Sequence, residues 1–123
     1  MNDKKILIVD DDPFFLTMLS HAIQKLCGFN GEIKEVGNGT DAIKEAGSCF
    51  YNLCFLDVNL PDINGLDVMK RIKSLSPETQ VAIMTASYLT EEIKNTIKAS
   101  ASLFIEKPPN LKQVNSFVKE ACC

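Results

Sequence analysis

Short unbroken apolar runs alternate along this chain with segments whose apolar residues recur at three- and four-residue intervals. Residues 6–9 (Ile-Leu-Ile-Val) form a continuous apolar run of the kind buried on both faces of a parallel sheet. Pro13 suits the first position of a helix, with Asp12 as its N-cap. That helix carries Phe15, Leu19, Ala22, Ile23 and Leu26 on one face and is expected to stop near Gly28. Residues 32–36 read as a second, weaker strand, 37–39 as a Gly-Asn-Gly turn, and 40–46 as a short helix. A third strand covers 53–56 and ends at Asp57. A loop at 61–65 then leads to a helix over 66–74. The fourth strand, 81–84, ends at Thr85. Thr90 caps a helix whose first turn holds Glu91 and Glu92, favourable for the helix dipole. The fifth strand, 103–105, ends at Lys107, and Asn110 caps a last helix through Val118. Strict alternation with such short connections predicts an α/β fold: a five-stranded parallel sheet, doubly wound, with five helices on its two faces.

Composition narrows the setting. The 123 residues suit a single domain over 1–123, and 46% hydrophobic content suffices for one filled core. A net charge of −3 argues against direct nucleic-acid binding, which favours a basic face. No apolar run approaches the length of a bilayer span, so no membrane insertion is expected. The five cysteines fit no zinc spacing. They read as reduced thiols of a cytoplasmic protein, Cys54 buried in a strand and the Cys122–Cys123 tail frayed.

The candidate chemistry collects at strand ends. Asp10, Asp11 and Asp12 follow the first strand, Asp57 ends the third, Thr85 the fourth and Lys107 the fifth. In an open α/β sheet the carboxyl edge is where ligands bind, so these distant residues converge on one cleft. Two carboxylates about 4 Å apart repel by roughly 4 kcal/mol at an effective dielectric near 20. One lysine cannot balance several of them. A hard divalent cation can, and an all-oxygen site suits Mg²⁺, with Mn²⁺ as substitute. Asp12 reads simply as a cap. A cation, a carboxylate nucleophile, a hydroxyl and an ammonium together form a phosphoryl-transfer set, in which Asp57 is the acceptor.

These residues resemble the receiver domain of two-component response regulators across essentially the whole chain. The matching segments are Ile-Leu-Ile-Val-Asp-Asp-Asp-Pro (6–13), Asp-Val-Asn-Leu-Pro-Asp-Ile-Asn-Gly (57–65), Met-Thr-Ala (84–86) and Ile-Glu-Lys-Pro (105–108). The resemblance implies the flavodoxin-like strand order 2-1-3-4-5 and makes Asp57 the phosphoacceptor. It implies that Asp11 touches the metal, that Asp10 acts through water, and that Asn59 offers its backbone carbonyl. Thr85 and Lys107 match the switch hydroxyl and the phosphate-binding lysine. Lys107–Pro108 matches the family's cis peptide. Phe104 stands where receivers carry a switch aromatic, although its pattern equally fits a core strand residue. Ser87 and the Asn59 side chain match positions that gate water. Pro109 and Ser100 depart from the usual aromatic and glycine, so the start of the last helix and the turn before the fifth strand are expected to differ.

As a receiver, the chain would take its phosphoryl group from a histidine kinase or a histidine phosphotransfer protein. It would catalyse only its own phosphorylation and dephosphorylation. The face of helix 4, strand 5 and helix 5 would then change its affinity for a downstream protein, as a monomer or a phosphorylation-dependent dimer. His21, the single histidine, reads as a solvent-facing helix residue and not a donor. Phe14, Met18, His21 and Lys25 share one flank of the first helix, which fits either a docking surface for the kinase or a frayed core edge.

Four other readings are open. A flavin binder of this topology would need a hydroxyl- and amide-rich phosphate loop where three aspartates stand. A dehalogenase-type phosphatase would want an acid where Asn59 stands. A scaffold working without phosphorylation would not need the complete set. The chain could also be a receiver excised from a larger regulator or hybrid kinase.

Overall fold

The computed structural model describes residues 3–85, 90–100 and 103–122. Five strands, β1 (Lys5–Val9), β2 (Glu32–Val36), β3 (Leu53–Asp57), β4 (Gln80–Thr85) and β5 (Leu103–Glu106), form one parallel sheet in the order β2-β1-β3-β4-β5. The helices are α1 (Pro13–Leu26), α2 (Gly39–Ser48), α3 (Gly65–Leu75), α4 (Glu91–Ser100) and α5 (Leu111–Cys122). Among the described residues, no helix is long and apolar enough to cross a membrane.

Period-two alternation along each strand divides the core in two. Ile6, Ile8, Leu53, Phe55, Ala82, Met84 and Ile105 face α1 and α5, meeting Leu16, Leu19, Ile23, Val114 and Phe117. Leu7, Val9, Cys54, Leu56, Val81 and Ile83 face the other way, onto Ala42, Val68, Met69 and Ile72 of α2 and α3 and Ile97 of α4. The central strands are buried on both sides, which is why they read as unbroken apolar runs. β2 has one neighbour and carries Glu32, Lys34 and Glu35 towards solvent, so its edge is guarded by charge.

Capping explains most helix starts. The Asp12 carboxylate accepts the Phe14 N–H at 3.0 Å, with Pro13 at the first helical position. Thr90 and Asn110 cap α4 and α5 as expected, accepting from Ile93 at 3.2 Å and from Lys112 at 2.9 Å. Asn38 and Asn64 are caps as well: they accept from Asp41 and Leu66, each at 2.8 Å.

Four expectations need correcting. Leu26 is 64% exposed, on the solvent side of a turn whose Ile23 is fully buried; Leu16 takes its place in the core. Residue 39 belongs to α2 and not to a turn, because Asn38 caps the helix just before it; α2 also runs two residues beyond Ala46, to Ser48. Gly65 likewise opens α3, which continues to Leu75. α5 extends past Val118 to Cys122, whose side chain is buried beside Phe117 and Val118; the tail is therefore not frayed at that position. Cys123, Ser87 and the residues between Ser100 and Leu103 lie outside the described residues.

Cys54 is fully buried in the central strand, and burial pushes its thiol up to about 12. Since the thiolate is the reactive form, Cys54 should resist iodoacetamide at pH 8 in the folded protein and react only when denaturant is added. Mass spectrometry of alkylated peptides reads this directly; labelling of native Cys54 at the rate of a free thiol would contradict the packing described.

Candidate functional site

Parallel register brings the polar residues together. Val9 pairs with Leu56, so Asp10, the next residue, stands beside Asp57 at the carboxyl edge. Asp57 pairs with Met84, and Thr85 with Glu106, which places Lys107 immediately beyond the end of β5. The Lys107 N–H donates to the Thr85 carbonyl at 2.9 Å, fastening the ends of β4 and β5 together. The Lys107–Pro108 peptide is cis.

The side chains then converge. Lys107 Nζ donates to Asp10 Oδ2 at 2.5 Å and to Asp57 Oδ2 at 3.0 Å. Asp57 Oδ1 accepts the Asn59 N–H at 3.0 Å, and Asp10 Oδ1 accepts the Asp12 N–H at 2.9 Å. Asp10, Asp57 and Thr85 are buried, whereas Asp11 is exposed at the rim. Carboxylate oxygens of Asp10, Asp11 and Asp57 all lie within 4.8 Å of one another.

One ammonium is shared between two buried acids, and the two partners register that differently. Burial raises the Asp57 pKa above the usual carboxylate value and the Asp10 charge adds to it, against the Asn59 N–H and Lys107, which pull it down. Burial alone would lower the Lys107 pKa, but hydrogen bonds and charge from Asp10 and Asp57 outweigh it and hold the amine protonated. The lysine is well neutralised and the acids are not. An all-oxygen set this close, still short of positive charge, fits a hard divalent cation.

Asp10, Asp11, Asp57, Thr85 and Lys107 lie together at the carboxyl edge. Asn59 is exposed just beyond Asp57, and Thr85 is buried at the end of β4. Phe104 sits farther along β5, half-buried against the α2–α3–α4 side of the core. Phe14 is 82% exposed and Met18 38%, with His21 and Lys25 also exposed on the same helix. Ser87 falls outside the described residues.

Two contacts escaped the sequence reading. Phe15, assigned there to the core stripe, presents its ring to the lysine, with Nζ 4.2 Å from the centroid. Asp62, read as part of a loop, reaches across to the start of α2. It accepts from Gly39 N at 2.8 Å, Thr40 N at 2.9 Å and Thr40 Oγ1 at 2.6 Å. The Thr40 hydroxyl and those amides hold the Asp62 carboxyl well below the usual carboxylate range. Nothing in sequence spacing signals a bond between residues 22 positions apart.

The response regulator receiver domain family model matches residues 6–119. Among curated relatives, the DNA-binding transcriptional regulator NtrC of Azospirillum brasilense is 30% identical over 98% of this chain, which spans only 24% of that protein's length. The chemotaxis protein CheY of Thermotoga maritima is 31% identical over 85% of this chain and 86% of its own. Among solved structures, a CheY-like response regulator receiver domain protein from Methanospirillum hungatei superposes with a TM-score of 0.85 at 26% identity, covering 95% of this chain and 91% of the other.

Because the ionised Asp57 is disfavoured by burial and by Asp10, Asp57→Asn should raise the urea midpoint of the protein in EDTA. Adding Mg²⁺ should reverse the order. Unsubstituted protein gains about 2.7 kcal/mol at a hundredfold excess over Kd, and the variant, lacking one ligand charge, gains much less. Equal stabilisation of both proteins by Mg²⁺ would contradict a metal site that includes Asp57.

Proposed function

The chain belongs to the response regulator receiver domain family, and from that premise we propose that Asp57 is its phosphoacceptor. The observation that carries this is the placement of Asp57: buried at the end of the central strand, one oxygen on Lys107, beside the acidic pair. Asp11, Asp57 and the Asn59 carbonyl would hold Mg²⁺, with Asp10 acting through water, and the ion would neutralise charge on the phosphoryl oxygens.

An Asp57 oxygen attacks phosphorus in line. The P–N bond to a histidine of the donor breaks, its electron pair stays on that imidazole, and an acyl phosphate forms on Asp57. Lys107, held protonated by Asp10, takes one phosphoryl oxygen, and the Thr85 hydroxyl takes another. The Phe15 ring packs under the ammonium and limits where it can point. The donor is a histidine kinase or a phosphotransfer protein in the same cytoplasm. The chain catalyses only its own phosphorylation and dephosphorylation.

The response is a population shift on the α4–β5–α5 side. Phe104 lines two adjoining grooves there. One, about 360 Å³, is bounded by Glu106, Pro108, Asn110 and Gln113; the other, about 230 Å³, by Lys94, Ile97, Lys98 and Glu106. Movement of Thr85 towards the phosphoryl group would let Phe104 turn inward and reshape both grooves for a downstream protein target.

Two outcomes test this reading. Acetyl phosphate with Mg²⁺ should label the unsubstituted protein, and Asp57→Asn should abolish labelling as read by intact mass; persistent label on the variant would remove Asp57 from the role. Phe14→Ala and Met18→Ala should slow transfer from a phosphorylated kinase about tenfold, because exposed aromatic and methionine side chains serve as anchors at interfaces. Labelling by acetyl phosphate should stay within twofold. Equal losses in both assays would refute a docking role for this flank.

A further inference from the structure

The segment between Asp57 and α3 is fixed at two points. Nearest the nucleophile, the Gly65 N–H donates to the Val58 carbonyl at 2.9 Å, closing the loop on itself. This requires a residue without a side chain: a Cβ at position 65 would lie 2.4 Å from the Asp57 carbonyl oxygen and 2.6 Å from the Val58 Cα. The second point is Asp62, whose carboxylate accepts the first two N–H groups of α2 and the Thr40 hydroxyl, and also the Ile63 N–H at 2.9 Å. Asn38 takes the third N–H of that helix, so the α2 terminus is satisfied jointly by its own cap and by a distant loop.

A separate observation shows that this approach is built into the packing. A Cβ on Gly39 would stand 2.7 Å from Val68 Cγ2 and 3.2 Å from Ile63 Cβ, so the loop and α3 press against the helix start where only glycine fits. Asn59, Leu60 and Pro61 are all that separate the two anchors. A short span held at both ends has little freedom, and its first residue is the one whose carbonyl would meet the cation.

We propose that Asp62 is a positioning residue for the cation site: by anchoring the β3–α3 loop on the amino terminus of α2, it fixes the direction of the Asn59 carbonyl. The inference rests on the phosphoacceptor reading above, and it assigns α2 a part in metal binding through its first N–H groups and the Thr40 hydroxyl. Without the anchor, the loop keeps the Val58–Gly65 bond but loses its distal restraint. The carbonyl then samples directions that do not meet the ion, and affinity falls while the nucleophile stays in place.

Mn²⁺ binding to the unphosphorylated full chain, followed by electron paramagnetic resonance, tests this without relying on activity. Asp62→Ala should weaken Mn²⁺ by about tenfold, the lower end for a residue supporting a ligand from behind. Asp62→Asn, which keeps the size but places an amide against N–H donors, should fall between. The Gly39 and Thr40 amides should exchange faster with solvent in both. At saturating Mn²⁺, labelling of Asp57 by acetyl phosphate should return to within twofold of the unsubstituted rate. Thr79→Val is the control for general loosening, since the buried Thr79 hydroxyl donates to the Tyr51 carbonyl at 2.7 Å, at the far end of the sheet. It should lower stability and leave Mn²⁺ binding unchanged. Undiminished binding by Asp62→Ala, or an equal loss in Thr79→Val, would overturn the positioning role alone. Failure of the unsubstituted protein to bind Mn²⁺ would overturn the metal reading together with it.

Discussion

The sharing of one ammonium between two buried carboxylates constrains everything else at the carboxyl edge. Lys107 bridges Asp10 and Asp57, with Asp11 close by, so three negative groups face one positive one. Such a cluster is costly in a low-dielectric setting, and the fold keeps it because parallel pairing leaves no alternative. Val9 beside Leu56 and Thr85 beside Glu106 bring Asp10, Asp57 and Lys107 together whether or not their charges balance. The imbalance is also what gives the site its chemistry. An acidic set this short of positive charge suits a divalent cation, and the proposed phosphoryl group would in turn face the lysine and that cation together.

The fold was legible because each level of the sequence agrees with the next. The runs at 6–9, 53–56 and 81–84 are apolar throughout, as strands buried on both faces must be, and Asp12, Thr90 and Asn110 punctuate the helices that follow or precede them. The site was legible for the same reason. Once the strands are parallel, residues just past their ends are neighbours, and Asp10, Asp57, Thr85 and Lys107 need no further information to be placed together.

What escaped reading depends on tertiary contact. Leu26 sits at a helical position one turn on from Ile23 and shares its periodicity, yet it faces solvent while Ile23 is fully buried. Cys122 looks like a terminal residue and is buried because α5 continues along α1. Phe15 packs against the core as its spacing suggests, but its ring also meets the Lys107 ammonium, a contact that spacing does not signal. Asp62 is the sharpest case. An aspartate in a loop after proline reads as turn chemistry, and only the close packing of α2 on α3 shows that its partners are Gly39 and Thr40.

Which part of the sheet can respond to a new charge follows from how each strand is held. β1 and β3 have neighbours on both sides and are buried along nearly their whole length, so Asp10 and Asp57 stand on the stiffest part of the molecule. Lys107 does not. It follows β5, an edge strand next to β4, and its N–H donates to the Thr85 carbonyl. Phe104 lies on that same strand, half-buried where Ile105 is fully covered. β4, paired on both sides and buried like β1 and β3, is held in the same way, so β5 is the least supported of the strands that carry the site. On the switch proposed for Phe104, a change at Asp57 would therefore be felt first in the grooves around β5. The loop after Asp57 is held differently, because the Gly65–Val58 bond closes it on itself and Asp62 fastens it to the start of α2. The loop proposed to hold the metal is thus fixed at Gly65 and at Asp62, whereas the strand proposed to respond lies at the edge of the sheet.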